Sequence, residues 1–96
     1  MNYDIKFADS QRLHALESKT TIALAVLEQN IAIGIGMRKH CQSLERVHHL
    51  TLDRGSIPVV KDGIDMQLAQ LKIHRRSCEL LLQQLRGTCA LVRCLF

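Results

Sequence analysis

Apolar residues return at alternating intervals of three and four along most of this chain. In the first half the series runs Leu13, Leu16, Thr20, Ala23, Leu27, Asn30, Gly34, Met37, Cys41, Leu44 and His48. In the second it runs Ile64, Leu68, Leu71, Arg75, Cys78, Leu82, Leu85, Cys89, Val92 and Phe96. Such spacing holds residues on one face of an α-helix and is the seven-residue repeat of a coiled-coil seam. The first seam is imperfect, because Thr20 and Asn30 are polar and Gly34 has no side chain. Leu24, Ile31 and Ile35 sit beside it and widen it toward the broader stripe of a helix in a bundle. In the second half Ile73, Leu80, Leu81 and Leu95 fall off the seam, so that helix is apolar around more of its circumference than one neighbour can cover.

The ends of these patterns set the expected elements. Asp9 or Ser10 can cap a helix by accepting from the unpaired N–H groups of its first turn, which places the first helix at about 10–48. Within it, IAIGIGM at 31–37 alternates β-branched residues with Gly, a pattern a strand also uses. Helix is preferred there because a lone strand would have no partner strand elsewhere. A Gly inside a helix costs roughly 1 kcal/mol relative to Ala, and Ala32 and Gly36 offer a flat small-residue surface in return. Between His49 and Gly63 the periodicity fails, and Gly55, Pro58 and Gly63 punctuate the segment. It reads as a loop at about 49–62, with Asp62 capping a second helix at about 63–96. Each helix would be on the order of 50–60 Å long, and one connection folds them back antiparallel.

The expectation is therefore an all-α protein, a single helical-hairpin domain over residues 1–96 that resembles a coiled coil. With 96 residues, 47% of them hydrophobic, and with no Trp, one Tyr and two Phe, the core has to be aliphatic. So small a domain is marginally stable unless a partner, a metal or a disulfide adds to it. Surplus leucine on the second helix points to dimerisation, a third helix from a partner, or truncation from a longer protein, with self-association into a helical bundle the expected outcome. The residues expected to form the protein interface are Leu24, Leu27, Leu68, Leu71, Leu82, Leu85 and Val92.

Charge changes this picture little. Thirteen Lys and Arg against nine Asp and Glu give a net charge of +4, with the excess in the second half. A basic second half can attract nucleic acid or an anionic surface, and that is the alternative function carried forward. Arg38 and Lys39, Arg75 and Arg76, and Arg86 and Arg93 would form its stripe. The aromatic side chains that stack on unpaired bases are nearly absent, so nucleic acid is not the expected partner.

MNYDIKFADSQRL at the start has no secretory-signal pattern. The longest apolar stretch, Ile22 to Met37, is interrupted by Glu28, Gln29 and Asn30, which are costly inside a bilayer. No membrane span is expected, and the protein is read as soluble and intracellular. Cys41, Cys78, Cys89 and Cys94 lie within the helices and are expected to be reduced and mostly buried.

Candidate chemistry was sought in three forms. His74 and Cys78, four apart, share a helix face and could be joined on a metal by His40 and Cys41 or by His48 and His49. The close Cys-x-x-Cys pairs of structural zinc sites are missing, so no metal and no cofactor are expected. Cys41 follows His40, but neighbours on a helix point about 100° apart and cannot form a nucleophile and base pair. GIG at 34–36 lacks the third Gly and the Lys of phosphate loops. The chain is read as no enzyme.

SQRLHALESKTTIALAVLEQNIAI, Ser10 to Ile33, and IDMQLAQLKIHRRSCELLLQQLRGTCALV, Ile64 to Val92, together resemble the paired stalk helices of fungal CorA-like proteins. In that group a helix opening on leucine, glutamate and lysine is followed by a linker and a second helix rich in Met, Gln, Ala and Leu. The two membrane spans and the Gly-Met-Asn signature of the metal-transporting members are not in this sequence, so ion conduction is not carried over. The resemblance implies a helical stalk segment with a tendency to assemble.

Overall fold

The computed structural model describes the backbone of residues 2–48 and 56–95 and side chains of residues 7–47 and 56–95. The expected seam members His48 and Phe96, the loop residue Gly55 and the candidate ligand His49 lie outside the described side chains. Two helices form a hairpin, α1 from Asn2 to His48 and α2 from Ser56 to Leu95, and no strand occurs among the described residues. IAIGIGM is helical throughout.

Both helices begin earlier than their capping residues suggest. Asp9 and Ser10 lie inside α1 and do not cap it; Asp9 instead faces Arg12 one turn on, at 3.8 Å. A cap-type residue sits comfortably within a helix when its side chain meets solvent or a neighbour on the next turn. Likewise Asp62 does not start α2. Ser56 does, and Pro58 follows in the first turn, where a missing N–H forfeits no helical hydrogen bond. The expected 49–62 loop therefore loses its second half to helix. The α2 seam gains Ile57 and Lys61, both half-buried and in phase with Ile64.

Packing divides the chain into two units, one formed by Met1–Val26 with Arg75–Phe96 and the other by Leu27–His74. In the first, Thr20, Leu82, Leu85 and Cys89 are buried; in the second, Ile31, Cys41 and Leu68 are. Every described member of the α2 seam, from Ile64 to Val92, is buried or half-buried. That half of the pattern holds position by position.

On α1 the phase is different. Leu13, Thr20, Leu27, Gly34 and Cys41 do face inward, but between them the inward positions are Glu17, Leu24 and Ile31. Leu16 is 50% and Met37 53% exposed, and Ala23 and Asn30 are exposed as well. At Glu17, Leu24 and Ile31 the seam lies one residue beyond the expected position, whereas further on the expected Leu44 and its neighbour Glu45 are both half-buried. Charge hides this phase from a hydrophobic pattern, because the inward series includes Glu17 and Glu45, and the exposed Arg38 also reaches across to α2. Each of these is answered by an opposite charge on α2. Glu17 Oε1 is 3.5 Å from Arg86 Nε, Asp65 Oδ1 is 2.7 Å from Arg38 Nε, and Glu45 Oε2 accepts from Lys61 Nζ at 3.5 Å.

Within the second unit, Gly34 meets Leu68, Arg38 meets Asp65 and Glu45 meets Lys61, so rising numbers on α1 face falling numbers on α2. The pairing is antiparallel. Gly34 seats Leu68, since a Cβ placed there would lie 2.6 Å from Leu68 Cδ2. The small-residue surface expected at Ala32 and Gly36 is not used inside the chain; both residues are exposed, and nothing lies within 4 Å of a Cβ built on Gly36.

Thr20 is the buried polar residue of the first unit, 8% exposed, and its hydroxyl donates to Leu16 O at 2.7 Å. The bond returns the group to its own helix, so the burial leaves no unmet donor.

Candidate interaction face and polar cluster

Of the seven residues expected to form a protein interface, Leu68, Leu82 and Leu85 are buried, and Leu24, Leu27, Leu71 and Val92 are half-buried. All seven are engaged in the hairpin's own seam. Only the half-buried four keep area for a further element.

Large apolar side chains lie exposed on both helices, Ile22, Val26, Ile33 and Met37 on α1 among them, and on α2 they include a stripe on the side away from the seam. Val59, Met66, Ile73 and Leu80 recur every seven residues and are 70%, 65%, 64% and 45% exposed. Gly87 and Cys94 continue that interval. Gly63, Gln70, Ser77, Gln84 and Leu91 fall between them, so the series from 59 to 94 steps by four and three without a single charge. A turn of 100° per residue sets this series nearly opposite the buried seam. The sequence pattern marks Ile73 and Leu80 as lying off the buried seam. The signal that would have found the whole stripe is a search for a second uncharged seven-residue series on the same helix.

The charges of α2 crowd into the arc between the two stripes, at Asp62, Asp65, Lys72, Arg76, Glu79, Arg86 and Arg93. Several are matched: Arg86 with Glu17, Asp65 with Arg38, and Glu79 with Arg75 on the next turn at 3.7 Å. This pairing dilutes the basic stripe expected from the sequence.

α1 carries a second property. By length and composition it contains a segment apolar enough to cross a membrane, and only 11% of that window is buried within the protein. A core helix of a soluble fold passes the same test by being covered; this one is not covered. Glu28, Gln29 and Asn30 lie exposed in the middle of the apolar run. The fold by itself thus does not place the chain in solution.

In the first unit the structure assembles a polar cluster that no spacing in the sequence announced. His14 and Glu17 are three apart on α1, with Nδ1 3.9 Å from Oε2, and Cys89 approaches from α2. The imidazole nitrogen, carboxylate oxygen and thiol sulfur all lie within 4.8 Å of one another. His14 is exposed, Glu17 half-buried, and Cys89 only 4% exposed. Burial pushes the Cys89 thiol above its ordinary range, and Glu17 adds to the rise by its charge and by accepting the thiol's hydrogen bond, while Arg93 opposes it. The pairs considered from sequence, His74 with Cys78 and His40 with Cys41, are not part of any such group among the described residues. The four cysteines are free thiols, Cys41 and Cys89 buried, Cys78 half-buried and Cys94 exposed.

No protein-family model matches this sequence, and no curated protein or solved structure is significantly similar to it.

Proposed function

We propose that the chain is a non-catalytic helical module that works by protein–protein association, and that its primary partner is a second copy of itself. The supporting observation is the uncharged stripe on the outer face of α2. A seam without charge is self-complementary, since two copies can meet along it without opposing like charges or burying an unpaired one. Its five large apolar side chains, Val59, Met66, Ile73, Leu80 and Leu91, are 45% to 70% exposed. Covering these five side chains removes on the order of 550 Å² per copy, the larger part of the about 800 Å² per partner of a stable interface. The resemblance of the two segments to paired stalk helices implies the same kind of role.

Absolute mass by light scattering over a concentration range, with circular dichroism on the same samples, tests the reading. Ile73→Glu with Leu80→Glu is expected to give a helical monomer. Arg76→Gln with Arg86→Gln is expected to leave mass and helicity unchanged. A monomer at every concentration, or an assembly that tolerates the two glutamates, refutes the proposal. Binding to an oligonucleotide that collapses steeply between low and moderate salt would favour the basic-surface alternative, and flotation with neutral vesicles would favour α1 as a membrane element.

A further inference from the structure

We propose that His14, Glu17 and Cys89 form a divalent-cation site of zinc type that clamps the first unit's two helices together. The three residues supply one nitrogen, one oxygen and one sulfur donor, a set that suits a borderline ion such as Zn²⁺ and excludes Ca²⁺ and Mg²⁺, which take oxygen.

The geometry is close to what such an ion requires. Zinc bonds of about 2.0–2.3 Å set donor-to-donor edges of roughly 3.3–3.8 Å in a tetrahedron. The donor atoms here already lie within 4.8 Å of one another, and His14 Nδ1 and Glu17 Oε2 are 3.9 Å apart. Side-chain rotation on the order of 1 Å closes the set, and His14, being exposed, is free to make it. Two donors come from successive turns of α1, and the third from α2. Binding therefore joins the helices, which a pair of ligands on one helix would not do.

The surroundings divide the work of Glu17. Its Oε1 faces Arg86 at 3.5 Å, which leaves Oε2 toward His14. Outer partners of this kind orient ligating carboxylates. An open cleft lined by Glu17, Ser18, Thr21, Ile22 and Arg93 adjoins His14. The fourth position is thus left to water, as in zinc sites with three protein ligands. Among the described residues, His14 and Glu17 from α1 and Arg93 from α2 face the buried thiol, and Arg86 stands against Glu17. Metal binding displaces the thiol proton to solvent and forms a sulfur–metal bond, with no change of oxidation state.

The test uses the full chain, reduced and stripped of metal. Zn²⁺ is titrated by calorimetry, with proton release measured by comparing buffers, and Co²⁺ serves as the spectroscopic probe. The expected result is one ion per chain, a thiolate-to-cobalt charge-transfer band, and a rise in melting temperature with Zn²⁺. Cys89→Ser should abolish the band and reduce proton release. His14→Ala and Glu17→Gln should each weaken Zn²⁺ by about tenfold or more, since even the loss of an outer-shell partner has an effect of that size. His14 is exposed, so its removal leaves helicity intact and separates ligand loss from unfolding. Cys78→Ser and Cys94→Ser should behave as the parent. Absence of stoichiometric uptake, or a band that survives Cys89→Ser, overturns the proposal. So does a band lost with Cys94→Ser.

Discussion

Replacing Gly34 by alanine sets two energies of opposite sign against each other where α1 seats Leu68 in the second unit. Alanine is better than glycine in a helix interior by about 1 kcal/mol, a gain that applies equally at Gly36. The difference lies in what the new methyl group meets. At Gly36 it meets nothing within 4 Å; at Gly34 it would stand 2.6 Å from Leu68 Cδ2 and 3.2 Å from Cγ. Carbon atoms rest at about 3.5–4.0 Å, so the leucine must withdraw by roughly 1 Å. Leu68 is only 6% exposed, and displacing a packed side chain costs about 1–3 kcal/mol. Gly34→Ala is therefore expected to be destabilising by about 0–2 kcal/mol and Gly36→Ala stabilising by about 1 kcal/mol. At about 4–8 °C per kcal/mol for a chain of this size, their melting temperatures should differ visibly in circular dichroism at one fixed concentration. Adding Leu68→Ala to the Gly34→Ala background should relieve the overlap, so the two changes together are milder than their separate effects predict. If Gly34→Ala stabilises as much as Gly36→Ala, Leu68 is not seated over Gly34 and the register of the second unit is wrong.

Three further outcomes follow from burial and charge. Leu82→Ala, at a position 5% exposed, should cost about 2–5 kcal/mol in urea unfolding, whereas Leu91→Ala, 65% exposed, should change it by less than about 0.5 kcal/mol at concentrations too low for association. Asp65→Asn removes the 2.7 Å pair with Arg38, whose side chains are 42% and 46% exposed; the loss should stay below about 1 kcal/mol and shrink with added salt. The raised pKa of Cys89 means the folded state holds its proton more tightly than the unfolded chain does. Its contribution is complete below the unfolded thiol pKa of about 8.5 and fades as pH rises through the higher folded value. Urea midpoints measured upward from pH 7 with chelator present should therefore fall more steeply in the parent than in Cys89→Ala, and parallel curves would contradict this.

The hairpin itself was legible from spacing. Ten positions from Ile64 to Phe96 step by four and three, and a helix that buries one stripe has no other way to place them. The same rule misplaced Leu16, Ala23, Asn30 and Met37 in the first seam, because it counts apolar residues and passes over charged ones. Leu16 and Met37 looked like seam members, while Glu17 and Arg38 did not. A charged side chain faces a neighbouring helix when an opposite charge stands across from it, and that condition depends on a residue 16 to 69 positions away in the three pairs across the hairpin. Capping signals failed for a related reason: Asp9, Ser10 and Asp62 are locally competent caps, but helix continues past each of them.

From the sequence alone came the helical class, the antiparallel return, the aliphatic core and the surplus apolar surface on α2, all consequences of a period that local geometry imposes. Tertiary structure decided which leucines are already spent on the hairpin's own seam, which stripe is left open, and that Gly34 rather than Gly36 admits a neighbour. It also brought His14 and Glu17 to Cys89, residues more than seventy positions apart. No local pattern encodes that meeting, because it depends on the register in which one helix lies against the other, and register is set by the sum of all contacts along the pair.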